Sequence, residues 1–218
     1  MAAPFVLASN SPRRHALLRE AGYTFEVVVP AVSELTLAHL SLRDLTIANA
    51  TRKAMAVARI YSGRVVLAAD TLVAMDGEIM GKPCDLSHAR MILRRLSGRT
   101  HKVCTAVCIV SAQARISFAE ISHVRFRKLT ESAITEYFKV VNPVDKAGAY
   151  GAQGAGGNII AAIAGSVTNV IGLPMERTTE VLAQVGIRPL SESRPQLPEA
   201  ESEHLSAHVS APDRETRR

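Results

Sequence analysis

The feature that most constrains this chain is Asp70, set inside the otherwise apolar run Val65-Val-Leu-Ala-Ala-Asp-Thr-Leu-Val-Ala-Met75. A run of this kind, closed by Asp76-Gly77, reads as a buried strand with a tight hairpin turn at its end. A carboxylate inside such a strand is costly unless it is paired, bound to metal or at the strand's exposed end. Either Asp70 closes a strand early, or it binds a divalent cation and holds or deprotonates an attacking water. The same run is the best candidate for a membrane span. Asp70 interrupts it well short of the roughly 20 apolar residues that a spanning helix needs.

Around this strand the pattern alternates. Phe5–Ala8 reads as a short strand, Arg14–Ala21 as a helix closed by Gly22, and Phe25–Val29 as a second strand. Leu42–Tyr61 carries Ala50, Ala54, Val57, Ala58 and Tyr61 at helical spacing. Val65–Ala74 and Glu78–Met80 form the hairpin, and Ser87–Leu96 is a helix stopped at Gly98. Two long strands, His101–Ala112 and Arg115–Lys128, precede a helix over Thr130–Val141 that Thr130 caps. A glycine-rich loop, a strand at Ile159–Ile163 and a helix at Pro174–Val185 follow. The fold class is α/β, a mixed pattern around one sheet.

The 218 residues suit one domain with a real core, or two small lobes sharing one. The stretch 189–218 is rich in Pro, Ser and Glu and lacks any Val/Ile/Leu run, so it is expected to be a disordered tail beyond a folded body at 1–188. That tail holds six acidic and four basic residues of the chain's 20 and 26, so the net charge of +6 becomes +8 in the body. Such a charge suits nucleic acid or a phosphorylated small molecule. The nine aromatics are sparse and form no basic–aromatic stripe, which argues against nucleic acid. The three cysteines argue against a disulfide framework, and with the N-terminus lacking a basic n-region and cleavage site they point to the cytoplasm. Cys104 and Cys108 fall on one strand face and read as buried apolar thiols.

Four segments carry chemistry. In Ser9-Asn-Ser-Pro-Arg-Arg14, Ser11 is a good N-cap and Pro12 suits the first helical position. Arg13 and Arg14 are then the wrong sign for the helix dipole, a conflict that a bound anion reverses. Asp70 is the second segment, with Glu34 after the second strand as a further carboxylate. The third is Gly81-Lys82-Pro83, whose lysine can neutralise phosphate, as can Lys53 on the long helix. The fourth runs Asp145-Lys-Ala-Gly-Ala-Tyr-Gly-Ala-Gln-Gly-Ala-Gly-Gly157, where glycines allow close backbone approach and Gln153 offers both a donor and an acceptor. Its spacing is that of neither a dinucleotide fingerprint nor a phosphate loop.

Taken together, Leu7–Arg14, Ala69–Thr71, Gly81–Pro83, Ser97–His101, Asp145–Gly154 and Asn169–Pro174 resemble the Maf family of nucleotide pyrophosphatases, in that family's order. The resemblance implies a mixed sheet with a deep cleft between two lobes, related to the inosine triphosphate pyrophosphatases, and a homodimer as a common state. It implies metal-assisted hydrolysis of a nucleoside triphosphate to the monophosphate and pyrophosphate, with Mg2+ or Mn2+ as the cation. By position, Asp70 is then the proton acceptor and Glu34 and Asp70 the metal-side carboxylates. Ser9, Arg13, Arg14, Lys53 and Lys82 are the phosphate and substrate contacts. Arg13, Thr71 and Gln153 match members acting on dTTP and UTP, whereas members favouring 7-methyl-GTP carry Glu at the last position. Modified pyrimidine nucleotides are further substrates on this reading. The competing expectation is a binding protein without hydrolysis, either a nucleotide-binding septation regulator or a basic nucleic-acid binder.

Overall fold

Phe5–Ala8 (β1) is buried at all four positions, which is why the strand carries no polar alternation. In this computed structural model, which describes residues 5–37 and 39–190, β1 has parallel neighbours on both sides, Phe25–Val28 (β2) and Val66–Met75 (β3). From β3 onward the sheet is antiparallel: Thr100–Val110 (β5) pairs with β3, Arg115–Phe126 (β6) with β5, and Ile160–Ala164 (β7) with β6. Glu78–Met80 (β4) folds back on the far end of β3. The result is one seven-stranded mixed sheet in the order β2-β1-β3-β5-β6-β7, with β4 on the β1 side of β3. Asp76 and Gly77 join β3 to β4 with φ of 53° and 82°, the two left-handed residues that a tight hairpin of this hand requires.

A gap in this sheet places the site. β1 pairs with β3 only as far as Ala8 and Ala68, and β4 begins pairing at Val73. Residues 69 to 72 of β3 therefore have β5 on one side and, among the described residues, no strand on the other. Asp70 sits in that gap, opposite Ala106 of β5.

Helices cover both faces. Leu42–Ala58 (α2), capped by the Ser41 side chain on the Asp44 N–H, packs Ala50, Ala54 and Val57 on Val6, Ala8, Val66, Ala68, Cys104 and Cys108. Pro12–Glu20 (α1) and Met175–Gln184 (α6) cover the opposite face, burying Leu17, Leu18, Val181 and Leu182 around Phe5 and Leu67. Leu86–Leu96 (α3) and Glu131–Val140 (α4) close the far half with Ala89, Leu93, Leu96 and Ile134 against Val73, Val103 and Phe126. Each Val, Leu, Ile or Phe among these contributes about 1.5–3 kcal/mol by leaving water.

The expected elements are present to within a few residues, α4 carries its Thr130 cap, and Cys104 and Cys108 are buried. A helix over Val167–Ile171 (α5) is additional; at five residues it is too short to show a period. Ser11 takes the N-cap position of α1, but its side chain makes no capping bond. The glycine-rich stretch, expected as a loop, holds two short 3-10 turns, Ala147–Ala149 and Gly154–Ile159. Of the expected tail, Pro189 and Leu190 are described, and the Leu190 N–H donates to the Gly22 carbonyl at 2.9 Å. Residues 191–218 lie outside the described residues. Among the described residues, no helix is long and apolar enough to cross a membrane.

Candidate active site

The sheet gap opens into a cavity of about 590 Å³. Asp70 reaches it from β3 and is 2 % exposed. Lys53, from α2, brings Nζ to 2.6 Å from Asp70 Oδ1 and 2.7 Å from Glu34 Oε1. Glu34 comes from the segment between β2 and α2, which Asn49 pins by accepting the Leu35 N–H at 2.7 Å. Asn49 and Lys53 are four apart on α2, so one helix face holds both the loop and the carboxylates. Lys82 stands 3.8 Å from the same Glu34 oxygen. Burial works to raise the Glu34 pKa, but the Lys53 hydrogen bond and charge, with Lys82 and Arg14, outweigh it and hold the carboxyl below its ordinary range.

The other wall is the start of α1. Arg14 donates from Nε to the Gly172 carbonyl at 2.8 Å, from Nη1 to Ser9 Oγ at 3.2 Å and from Nη2 to Thr71 Oγ1 at 3.0 Å. Its burial lowers the guanidinium pKa to about 10, with Asp70 and Glu34 opposing the shift and Arg13 adding to it, so it stays a cation at neutral pH. Arg13 points to Asp145 with 4.0 Å between charged atoms.

The glycine-rich segment forms the third wall and is tied down at three points. The Gly148 N–H donates to the Gly81 carbonyl at 3.2 Å, the Gly151 N–H donates to Tyr137 Oη at 3.1 Å, and Tyr150 Oη lies 2.8 Å from His101 Nε2. A Cβ on Gly156 would stand 2.5 Å from the Gly151 carbonyl, so these turns are closed by backbone contact that only glycine permits. Burial drives the His101 pKa down to about 4 and the Tyr150 phenol up, leaving a neutral pair beneath the loop.

Ser9, Arg13, Arg14, Glu34, Lys53, Asp70, Thr71 and Lys82 all line this one cavity. Gln153 does not: it is exposed just beyond Gly151 and Ala152, which do line it. Lys53, expected at phosphate, is engaged by the two carboxylates. Three residues that sequence reasoning missed support the site, namely Asn49, Thr105 and Asn169, each buried and hydrogen-bonded. For Thr105 the signal was a polar residue within an apolar run, and for Asn169 it was its place at the head of the segment Asn169–Pro174.

The donors present fit a hard divalent cation. Among the described residues, Asp70 Oδ2 is buried without a hydrogen-bond partner, and the carboxylate of Glu34 shares the same ammonium. No group of three or more His, Cys, Asp or Glu side chains is assembled among the described residues. Two carboxylates, with phosphate and water oxygens completing the shell, is the provision that Mg2+ ordinarily receives.

The family model described as "Maf-like protein" matches residues 4–185. A dTTP/UTP pyrophosphatase of Symbiobacterium thermophilum is 46% identical over 181 residues, covering 83% of this chain and 93% of that protein. One of Akkermansia muciniphila is 44% identical over 188 residues, covering 86% and 100%. Among solved structures, the Staphylococcus aureus Ham1 protein superposes with a TM-score of 0.44 at 15% identity, covering 86% of this chain and 92% of that one.

Proposed function

The chain belongs to the Maf family, and from that premise we propose that it hydrolyses dTTP and UTP to the monophosphate and pyrophosphate. The observation that carries this reading is Asp70, whose Oδ1 is held by Lys53 while Oδ2, buried at the gap in the sheet, has no partner among the described residues. Oδ2 takes a proton from water as the water oxygen bonds to the α-phosphorus; the bond from that phosphorus to the bridging oxygen breaks, and pyrophosphate leaves. Lys53 orients the base and keeps the Glu34 and Asp70 carboxylates from repelling each other. Arg14, Lys82 and Ser9 bind the phosphates, and Arg13 joins them from the first turn of α1.

Glu34 and Asp70 would hold a divalent cation, Mg2+ or Mn2+, which supplies positive charge to the phosphate oxygens when bound. Gln153 sets base preference, its amide meeting a pyrimidine edge with a donor and an acceptor. Thr71 contributes to the same preference, and modified pyrimidine nucleotides are further substrates. Residues 1–188 are the catalytic unit, and the free thiols of Cys84, Cys104 and Cys108 suit a reducing cytoplasm.

The test is pyrophosphate release by purified protein across a panel of nucleoside triphosphates with Mg2+ or Mn2+. Release from dTTP and UTP ahead of the purine nucleotides supports the reading. Binding without release from any of them would make the protein a nucleotide sensor instead.

A further inference from the structure

We propose that Thr105 and Asn169 are positioning residues that fix the Arg14 guanidinium through a one-directional hydrogen-bond relay; this rests on the reading of Arg14 as a phosphate contact. Each hydroxyl proton in the relay has one acceptor. Thr105 Oγ1 donates to the Asn169 carbonyl at 2.8 Å, and a carbonyl can only accept. The single Thr105 hydroxyl proton is thereby committed, so in its 2.9 Å contact with Thr71 Oγ1 it is Thr71 that donates. Thr71 has then spent its own proton and receives one from Arg14 Nη2 at 3.0 Å. The order is Arg14 to Thr71 to Thr105 to Asn169, with each donor fixed by the next acceptor.

The far end of the relay is equally determined. The Asn169 side chain accepts the Thr105 N–H at Oδ1 and donates from Nδ2 to the Val103 carbonyl and to Ser122 Oγ, which donates in turn to the Ser166 carbonyl. Thr105, Ser122 and Asn169 are each 0 % exposed. These three side chains are tolerated in the sheet because each of their polar groups is hydrogen-bonded, and a satisfied buried network has a single arrangement.

Two consequences follow for the cavity. Three of the five Arg14 donors are committed, to Gly172, Ser9 and Thr71, which fixes the plane of the guanidinium and leaves two donors for an anion. Thr71 has no proton left for substrate. Its influence on nucleotide preference therefore passes through the orientation of Arg14.

The experiment compares Thr105→Val, which has the shape but no hydroxyl, with Thr105→Ser, which keeps the relay. Each is made in the wild-type and Arg14→Ala backgrounds and assayed for pyrophosphate release from dTTP. In parallel, NMR follows exchange of the Arg14 guanidinium N–H protons with water. Loss of one such bond corresponds to about tenfold. Thr105→Val is expected to lower kcat/KM by about that factor and to speed Arg14 N–H exchange, while Thr105→Ser restores both to within about twofold. With Arg14 absent, Thr105→Val should add less than about a further twofold loss.

An equal loss in both backgrounds would overturn the relay, as would Arg14 exchange unchanged by Thr105→Val. Should the wild-type protein release no pyrophosphate, the functional reading fails, and Arg14 exchange in the two Thr105 variants still decides the relay.

Discussion

The ammonium of Lys53 lies 2.6 Å from Oδ1 of Asp70, with the two side chains 13 % and 3 % exposed. Both ions are largely out of water, so each depends on the other far more than a surface pair does. The pair joins α2 to the open edge of β3, and through Glu34 it also joins the loop before α2.

Removing the cation while leaving the carboxylates should therefore be costly. Lys53→Met is expected to lose about 3 kcal/mol of stability in urea unfolding without divalent ions. Because Asp70 and Glu34 then lose the ammonium they share, with Lys82 still 3.8 Å from Glu34, added Mg2+ should recover more stability in the variant than it adds to the wild type. Equal Mg2+ responses would separate the cation from these two carboxylates.

A second expectation concerns pH. The His101 pKa falls from its ordinary 6.5 to about 4 because the folded protein buries it. Between these values the unfolded chain holds a proton that the folded one refuses, so stability falls as the pH drops through that window. The loss amounts to about 3 kcal/mol by pH 4. Glu34 acts in the same direction lower down: its depressed pKa contributes stability at neutral pH that is lost as the pH falls through the folded value. Urea midpoints measured from pH 7 to pH 4 should show the slope, and His101→Gln should flatten its upper part.

Gly172 offers a third. Its φ of +127° is one that side-chain-bearing residues rarely adopt, and its carbonyl accepts the Arg14 Nε–H. A Cβ there would meet Thr71 Oγ1 at 3.5 Å and Arg14 Nε at 3.7 Å, both ordinary contacts. The cost of Gly172→Ala is thus conformational, about 1–3 kcal/mol, and relief of that strain moves the carbonyl off Arg14. Thermal unfolding should register the first effect, and a drop of about tenfold or more in kcat/KM the second.

Local chemistry was readable where one segment determines its own structure. Asp76-Gly77 dictates its turn, Thr130 caps its helix, and Ala89, Ile92, Leu93 and Leu96 show the period of α3. Asp70 announced itself as a carboxylate in an apolar strand. What a local reading misses is set by tertiary contact. That β1 stops pairing at Ala8 while β4 starts at Val73, opening the gap, depends on how three segments meet. That Lys53 turns to the carboxylates depends on where α2 crosses the sheet, which no spacing in the sequence encodes. Thr105 looks like an incidental polar residue, and Asn169 only like the first residue of a recurring segment, until Arg14 is seen at the other end of their hydrogen bonds. The glycine-rich segment reads locally as a loop, and the bonds that hold it, Gly151 to Tyr137 and Tyr150 to His101, reach residues its own sequence does not point to.

Base preference gives a fourth expectation. Gln153→Glu removes the amide donor from the loop beside the cavity and adds a charge. It should lower kcat/KM for dTTP and UTP by at least about tenfold. An unchanged order of preference across the triphosphate panel would take Gln153 out of base recognition.

The most direct measurement is pyrophosphate release from dTTP and UTP by Asp70→Asn, with Mg2+ or Mn2+ present and circular dichroism confirming the fold. The amide matches the carboxylate in shape and cannot accept the proton of the attacking water. The account predicts that release is abolished in a folded protein. Turnover close to wild type in that variant would contradict it.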